Sequence, residues 1–234
     1  MLTRRPDYVP VHLALAGHDM AMGSTTDARR QTDPRRLQLA GKRGMDITLS
    51  AIALLVLLPV IVVLALVVRL GSPGPVLFRQ RRAGLDGREF TMLKFRSMVD
   101  GADKLRGLLE EANEADGLLF KVADDPRITG IGSWLRRYSL DEVPQLFNVL
   151  RGEMSLVGPR PALPSEVAAY DTRTAGRLKA KPGLTGPWQV SDRHLSSFED
   201  YVRLDLDYVD GWSLAGDLDL MVRTIPAVLL STGA

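Results

Sequence analysis

Residues 47–68 read ITLSAIALLVLLPVIVVLALVV, twenty-two residues without a charge, closed by Asp46 on one side and Arg69 on the other. A run of that length and apolarity suits a membrane better than the core of a soluble domain. Pro59 stands near its middle, where it removes the amide that would bond back to Leu55, so a kink or break of the helix is expected there. The arm before it, 47–58, would be about 18 Å long at ~1.5 Å per residue, short of a ~30 Å hydrocarbon core. Arg35, Arg36, Lys42 and Arg43 precede the run, and Arg69, Arg79, Arg81 and Arg82 follow it. Positive charge at both ends disfavours placing them on opposite faces. A re-entrant hairpin satisfies both flanks. On the residues alone, a kinked single span with basic residues in both headgroup layers stays open. A cleaved signal peptide does not fit, because the run starts too deep, is too long and lacks a small-residue cleavage site.

Around this segment the chain is ordinary in bulk. Its 234 residues, 45% hydrophobic and 25% charged, suit one globular core with appendages rather than a disordered or fibrous chain. There is no cysteine, which excludes disulfides, thiolate nucleophiles and cysteine-bound metal, and His12, His18 and His194 have no tight ligand spacing. A reduced, cytosol-facing location fits. The formal charge of +2 is too small to name an acidic partner, so any such partner must be read from local clusters.

The expected fold class is α+β, a re-entrant membrane helix joined to a small helix-rich catalytic domain. Residues 1–40 are polar and aperiodic and read as a disordered leader whose Arg29, Arg30, Arg35 and Arg36 form a solvated charge run. Residues 41–70 form the membrane helix, and 71–234 the catalytic domain. The breaker cluster GSPGP (71–75) ends the helix. Residues 76–80 and 89–95 then predict two strands of a β-hairpin around GLDG (84–87). Ala102, Leu105, Leu108, Leu109 and Ala112 predict an amphipathic helix, and another is expected from near Leu140 to Leu150. Phe198, Tyr201, Val202 and Leu206, then 214–230, predict C-terminal amphipathic helices, the second suited to the membrane interface.

The chemistry concentrates in WLRRYSLDEVPQLFN (134–148), where Asp141 and Glu142 are adjacent. Ser139 and Glu142 also make a capping-box pattern, with Pro144 suited to a first helical turn, so a helix start could account for the acids. Their company argues for more. Arg136 and Arg137 lie just upstream, with Arg127, Arg151 and Arg160 in nearby loops. Carboxylates suit Mg²⁺ and guanidinium forks suit phosphate oxygens. In GEMSLVGPRPA (152–162), Gly158 allows close backbone approach and Pro159 and Pro161 hold Arg160 in a stiff frame. GLTGPWQ (183–189), preceded by Lys179 and Lys181, is a further rigid loop that ordinary turn chemistry explains.

Eight segments stand in order: KRGMD (42–46) before the proline-centred apolar run, SPGPVLFRQ (72–80), KFRSM (94–98), DPRIT (125–129), SLDEVPQLFN (139–148), VGPRP (157–161) and KPGLTG (181–186). Together, over about residues 40–230, they resemble the bacterial sugar transferase family, the monotopic phosphoglycosyl transferases. Large members carry a multi-span domain ahead of the catalytic part, so the likeness is to the small form.

The resemblance implies transfer of sugar 1-phosphate from a nucleoside diphosphate sugar, usually a uridine one, to a polyprenyl phosphate at the cytoplasmic face of the bacterial inner membrane, beginning lipid-linked glycan synthesis. It implies Asp141 as nucleophile, giving a covalent phosphosugar-aspartate, with Glu142 beside it and both acids serving Mg²⁺. Arg136, with Arg137, matches the phosphate-contacting arginine, and Pro159-Arg160-Pro161 the nucleotide-side loop. It also implies that the chain re-enters at Pro59 and leaves on the same face, although the serine frequent ahead of that proline is here Leu58. The partners implied are the donor, the lipid acceptor and the bilayer, with no nucleic acid; a homo-oligomer is compatible. Two other readings use the same residues: a membrane-tethered, metal-dependent nucleotide-sugar hydrolase, and a non-catalytic scaffold binding anionic lipid through 79–88.

Overall fold

A computed structural model describes residues 34–122, 124–191 and 197–229. The expected leader up to Asp33, with Arg29 and Arg30, lies outside the described residues, as do the three histidines and Leu230.

Pro34–Gly71 forms one helix, α1, which therefore begins inside the stretch read as leader. It continues through Pro59, so of the kink or break expected there a break of the helix is excluded. Proline deletes a single backbone bond, and the apolar turns on either side carry the helix past it. Of its most apolar window 11% is buried, so α1 is not the core helix of a soluble domain; among the described residues it is the one helix long and apolar enough to cross a membrane.

Both ends of α1 are docked, and its middle is bare. Near the start, Lys42 Nζ donates to the Val157 carbonyl at 3.0 Å and pairs with Asp217 at 2.5 Å. Arg43 donates to the carbonyls of Val149 and Leu150, and buried Asp46 accepts from Ser155 Oγ and the Leu156 amide. Near the end, Leu64 and Val68 join Phe95 and Leu135 in a core cluster, and Arg96 Nη2 donates to the Val68 carbonyl and to Ser72. Between these anchors Leu55, Val56, Leu58, Val62 and Val63 are exposed.

The breaker cluster delivers the chain to an antiparallel hairpin, β1 (Leu77–Ala83) and β2 (Glu89–Phe95), in register from Leu77 opposite Phe95 to Ala83 opposite Glu89. The 102–112 segment forms 3-10 turns rather than an α-helix, with Ala102 buried but Leu105 and Leu108 exposed, so the expected apolar stripe does not pack as one face. Helix α2 (Gly130–Arg137) is capped by Thr129 Oγ1, which accepts from the Gly132 amide at 2.9 Å.

The single helix expected from Leu140 to Leu150 is divided. A 3-10 turn, Leu140–Glu142, precedes α3 (Gln145–Arg151), because Pro144 has no amide to continue a ladder between them. Next come β3 (Ser155–Val157), α4 (Pro164–Val167), a 3-10 turn (Thr174–Lys179), β4 (Gly183–Thr185) parallel to β3, α5 (Pro187–Val190), α6 (Phe198–Gly211) and α7 (Leu214–Leu229). The close approach expected at Gly158 is present: a Cβ there would lie 2.2 Å from the Lys181 carbonyl oxygen. The Gly/Pro-rich loop at 183–189 thus serves as β4 and α5, that is, as structure. Leu218, Val222 and Ile225 of α7 stay exposed on one stripe.

Candidate active site

Asp141 owes its position to a strained approach. Ser139, at φ 54°, sits in the left-handed region and makes no side-chain cap, so the capping box that would have explained the acids as a helix start does not form. The turn that follows buries Asp141, with 6% of its surface exposed, and leaves Glu142 partly exposed beside it.

The end of β2 meets this turn. Lys94 Nζ lies 2.6 Å from Glu142 Oε1 and 3.8 Å from Asp141 Oδ2. Burial pushes the Asp141 carboxyl above the usual carboxylate range, and the charge of Glu142 adds to that, while Lys94 and Arg136 pull it back. Glu142 thereby acts as an anchor, fixing an ammonium within reach of its neighbour.

Asp141 opens into a cavity of about 580 Å³. Its wall carries the cations Arg79, Arg82, Lys94, Arg96, Lys104, Arg106, Arg127, Arg136 and Arg160, and the acids are Asp100, Asp103, Asp141 and Glu166. Such an excess of cations in one concave space suits a polyanion. Arg82 donates from Nη1 to the Pro161 carbonyl at 2.9 Å and from Nε and Nη2 to Gln80. Burial and then the Arg160 charge push its pKa down to about 10, so it stays protonated at neutral pH beside a like charge. Among the described residues Arg160 Nη1 has no hydrogen-bond partner, and it lies 4.0 Å from Glu166 Oε1. Arg127 is clasped by Asp125 through Nε and Nη2 and lies 5.3 Å from the Phe120 ring centroid, with Arg106 at 4.7 Å.

The residues singled out in the sequence divide accordingly. Asp141, Arg136 and Arg160 share the cavity wall. Glu142 is outside the lining but tied to it through Lys94, and Arg137 is also outside, its guanidinium 5.9 Å from the Tyr138 ring centroid. Pro159 and Pro161 do not line the cavity; they frame Arg160, with the Pro161 carbonyl bound by Arg82. Arg151 is exposed at the end of α3. Pro59 is far from this wall in function, belonging to the exposed middle of α1. Lys94, Arg82 and Arg96 escaped the sequence reading as site residues. Their signal was the KFRSM and FRQRR segments, whose cations fall at strand positions bordering the cavity.

Among the described residues no group of three or more histidine, aspartate or glutamate side chains converges. Mg²⁺ does not need one, since it is commonly held by one or two carboxylates with substrate phosphates and water completing its shell. Asp141, the carboxylate at the wall beside the arginines, fits that donor set, and Glu142 would join it only by releasing Lys94.

Residues 37–231 match the family described as bacterial sugar transferase. The chain is 44% identical over 197 residues to galactosyl transferase CpsE of Streptococcus agalactiae serotype III, covering 84% of this chain and 44% of that protein. It is 42% identical over 200 residues to exopolysaccharide production protein ExoY of Rhizobium meliloti, covering 82% and 87%. To undecaprenyl-phosphate galactose phosphotransferase of Salmonella typhimurium it is 41% identical over 199 residues, covering 82% and 41%. It thus spans under half the length of the first and third relatives and most of the second.

Proposed function

Since this chain belongs to the bacterial sugar transferase family, we propose that it moves a sugar 1-phosphate from a nucleoside diphosphate sugar, of the uridine class, to a polyprenyl phosphate such as undecaprenyl phosphate. The observation that carries the reading is Asp141, a buried carboxylate at the wall of a cation-rich cavity with Lys94 and Arg136 beside it.

In the first displacement an Asp141 carboxylate oxygen bonds to the sugar-linked phosphorus. The bond from that phosphorus to the bridging oxygen breaks, and the nucleoside monophosphate leaves with the electron pair. In the second, a phosphate oxygen of the lipid attacks the same phosphorus and the carboxylate is released. Two displacements let one site serve a water-soluble donor and a bilayer-bound acceptor in turn. Lys94 favours the ionised form of Asp141 against the cost of burial, and Arg136 and Arg160 meet the charge spread over the phosphoryl oxygens. Mg²⁺, held by Asp141 with or without Glu142, would supply neutralisation of the diphosphate.

The re-entrant topology is part of this reading, and the docking of α1 supports it. From Asp46 to Val68 a straight helix at ~1.5 Å per residue is about 33 Å long, enough to carry its ends to opposite faces of a bilayer. Yet both ends are bonded to the same catalytic fold, and both carry basic flanks. The cytoplasmic face is the one such flanks select, and the Leu218, Val222 and Ile225 stripe of α7 suits the headgroup boundary.

The test is a donor panel, UDP-galactose and UDP-glucose first, assayed for UMP release with and without undecaprenyl phosphate. Release of UMP together with lipid-linked sugar phosphate supports the transfer. Acceptor-independent release of sugar phosphate into water would make the protein a hydrolase instead.

A further inference from the structure

The mechanism leaves one buried ionic assembly unused. Arg177, 3% exposed, donates from Nε to Asp205 Oδ2 at 2.8 Å and from Nη1 to the Tyr170 hydroxyl at 2.6 Å. Its Nη2 donates to the Tyr201 hydroxyl at 2.5 Å and reaches the Arg160 carbonyl at 3.5 Å. The Tyr201 ring centroid lies 4.2 Å from the guanidinium, and Tyr201 and Asp205 are almost fully buried on the inner face of α6. None of Arg177, Tyr170, Tyr201 and Asp205 lines the cavity, so none can touch a substrate there.

A buried ion pair is a poor way to gain stability, because desolvation consumes most of the attraction, and a packed apolar cluster would serve as well. What the pair adds is orientation, and what it orients is Arg160. The Arg160 carbonyl faces Arg177, its guanidinium lies near Glu166, and among the described residues its Nη1 has no hydrogen-bond partner. Pro159 and Pro161 restrict the backbone on either side, and Arg82 holds the Pro161 carbonyl. The loop is thus held on the cavity side by Arg82 and from behind by Arg177, which lies outside the cavity lining.

We propose that Arg177, clamped by Asp205, Tyr170 and Tyr201, is a positioning residue that sets Arg160 for its contact with the donor diphosphate. This rests on the phosphate role given to Arg160 above. The Tyr201 hydroxyl accepts from Arg177 Nη2, the same nitrogen that reaches the Arg160 carbonyl, so it steadies the donor that holds that carbonyl.

The experiment is a double-mutant cycle between Tyr201→Phe and Arg160→Ala in the full chain in lipid nanodiscs with Mg²⁺, using whichever of UDP-galactose and UDP-glucose is turned over. Tyr201→Phe keeps the ring that packs on Trp188 and Phe198. It should leave the chain folded at the assay temperature, raise the half-saturating donor concentration about tenfold, leave that for undecaprenyl phosphate alone, and add nothing once Arg160 is alanine. Wild-type donor dependence in Tyr201→Phe, or penalties that multiply in the double variant, would overturn the positioning role while leaving Arg160 in place. Wild-type kinetics in Arg160→Ala would remove the phosphate role itself. Should Tyr201→Phe lose stability, Tyr170→Phe, which frees Arg177 on its other side, carries the same comparison with the same outcomes.

Discussion

Lys94→Met removes one charge from the site and keeps most of the side-chain volume. Lys94 Nζ lies 3.8 Å from Asp141 Oδ2, and the lysine side chain is a quarter exposed. At an effective dielectric near 20, opposite charges about 4 Å apart attract by about 4 kcal/mol, which is a ceiling because water reaches Lys94. At about 1.4 kcal/mol per factor of ten, the ceiling is roughly a thousandfold in the rate of adduct formation, and screening brings the expected loss to roughly ten- to a hundredfold at neutral pH. The sign follows from the charge. Lys94 favours ionised Asp141, so its loss raises the Asp141 pKa further, protonates the nucleophile at higher pH, and moves the acid limb of the rate profile upward. Single-turnover formation of the phosphosugar enzyme, followed from acid to alkaline pH without lipid acceptor, reads both. Partial recovery of Lys94→Met at alkaline pH is the expected signature. An acid limb at the wild-type position, whatever the loss in rate, would refute the electrostatic role.

Other perturbations give separate readouts. Glu142→Gln should release Lys94 from its 2.6 Å anchor and cost about tenfold in adduct rate, with donor affinity retained in a binding titration. Excess EDTA should abolish turnover and Mg²⁺ restore it; full activity in chelator would remove the metal. Bonds from Arg127 hold the Asp125 carboxyl below its ordinary range. That pair therefore contributes stability above the ordinary carboxylate pKa and loses it as pH falls through the depressed one. Asp125→Asn should lower the melting temperature at neutral pH, by an amount reflecting about 1–3 kcal/mol, and flatten the acid branch of the melting curve. The chain has no cysteine, so Leu39→Cys and Leu70→Cys supply unique labels at exposed positions on either side of the apolar run. Both should resist an impermeant thiol reagent added outside intact cells, and labelling of one alone would show a span.

What the sequence disclosed is what local pattern carries. The apolar run, the hairpin and the Asp141–Glu142 pair each announce themselves within a few neighbouring residues. What it concealed depends on contacts between distant residues. Lys94 meets Glu142 across 48 positions of chain, and Arg177 meets Asp205 across 28, so neither partnership has a spacing to read. The capping-box pattern at Ser139 and Glu142 pointed to a helix start, but Ser139 adopts a left-handed conformation and Lys94 captures the glutamate. Pro59 shows the opposite limit. Its local rule allows a kink or a break, and one missing amide bond does not end a helix as long and apolar as α1.

The covalent step at Asp141 is tested most directly by intact-protein mass spectrometry after incubation with UDP-sugar and Mg²⁺, without polyprenyl phosphate. A mass increase equal to one sugar phosphate, mapped to the peptide containing Asp141, absent from Asp141→Asn and discharged by added undecaprenyl phosphate, is the predicted result. Lipid-linked product formed by Asp141→Asn at the wild-type rate, with no adduct on either protein, would contradict it and mean direct transfer between donor and acceptor.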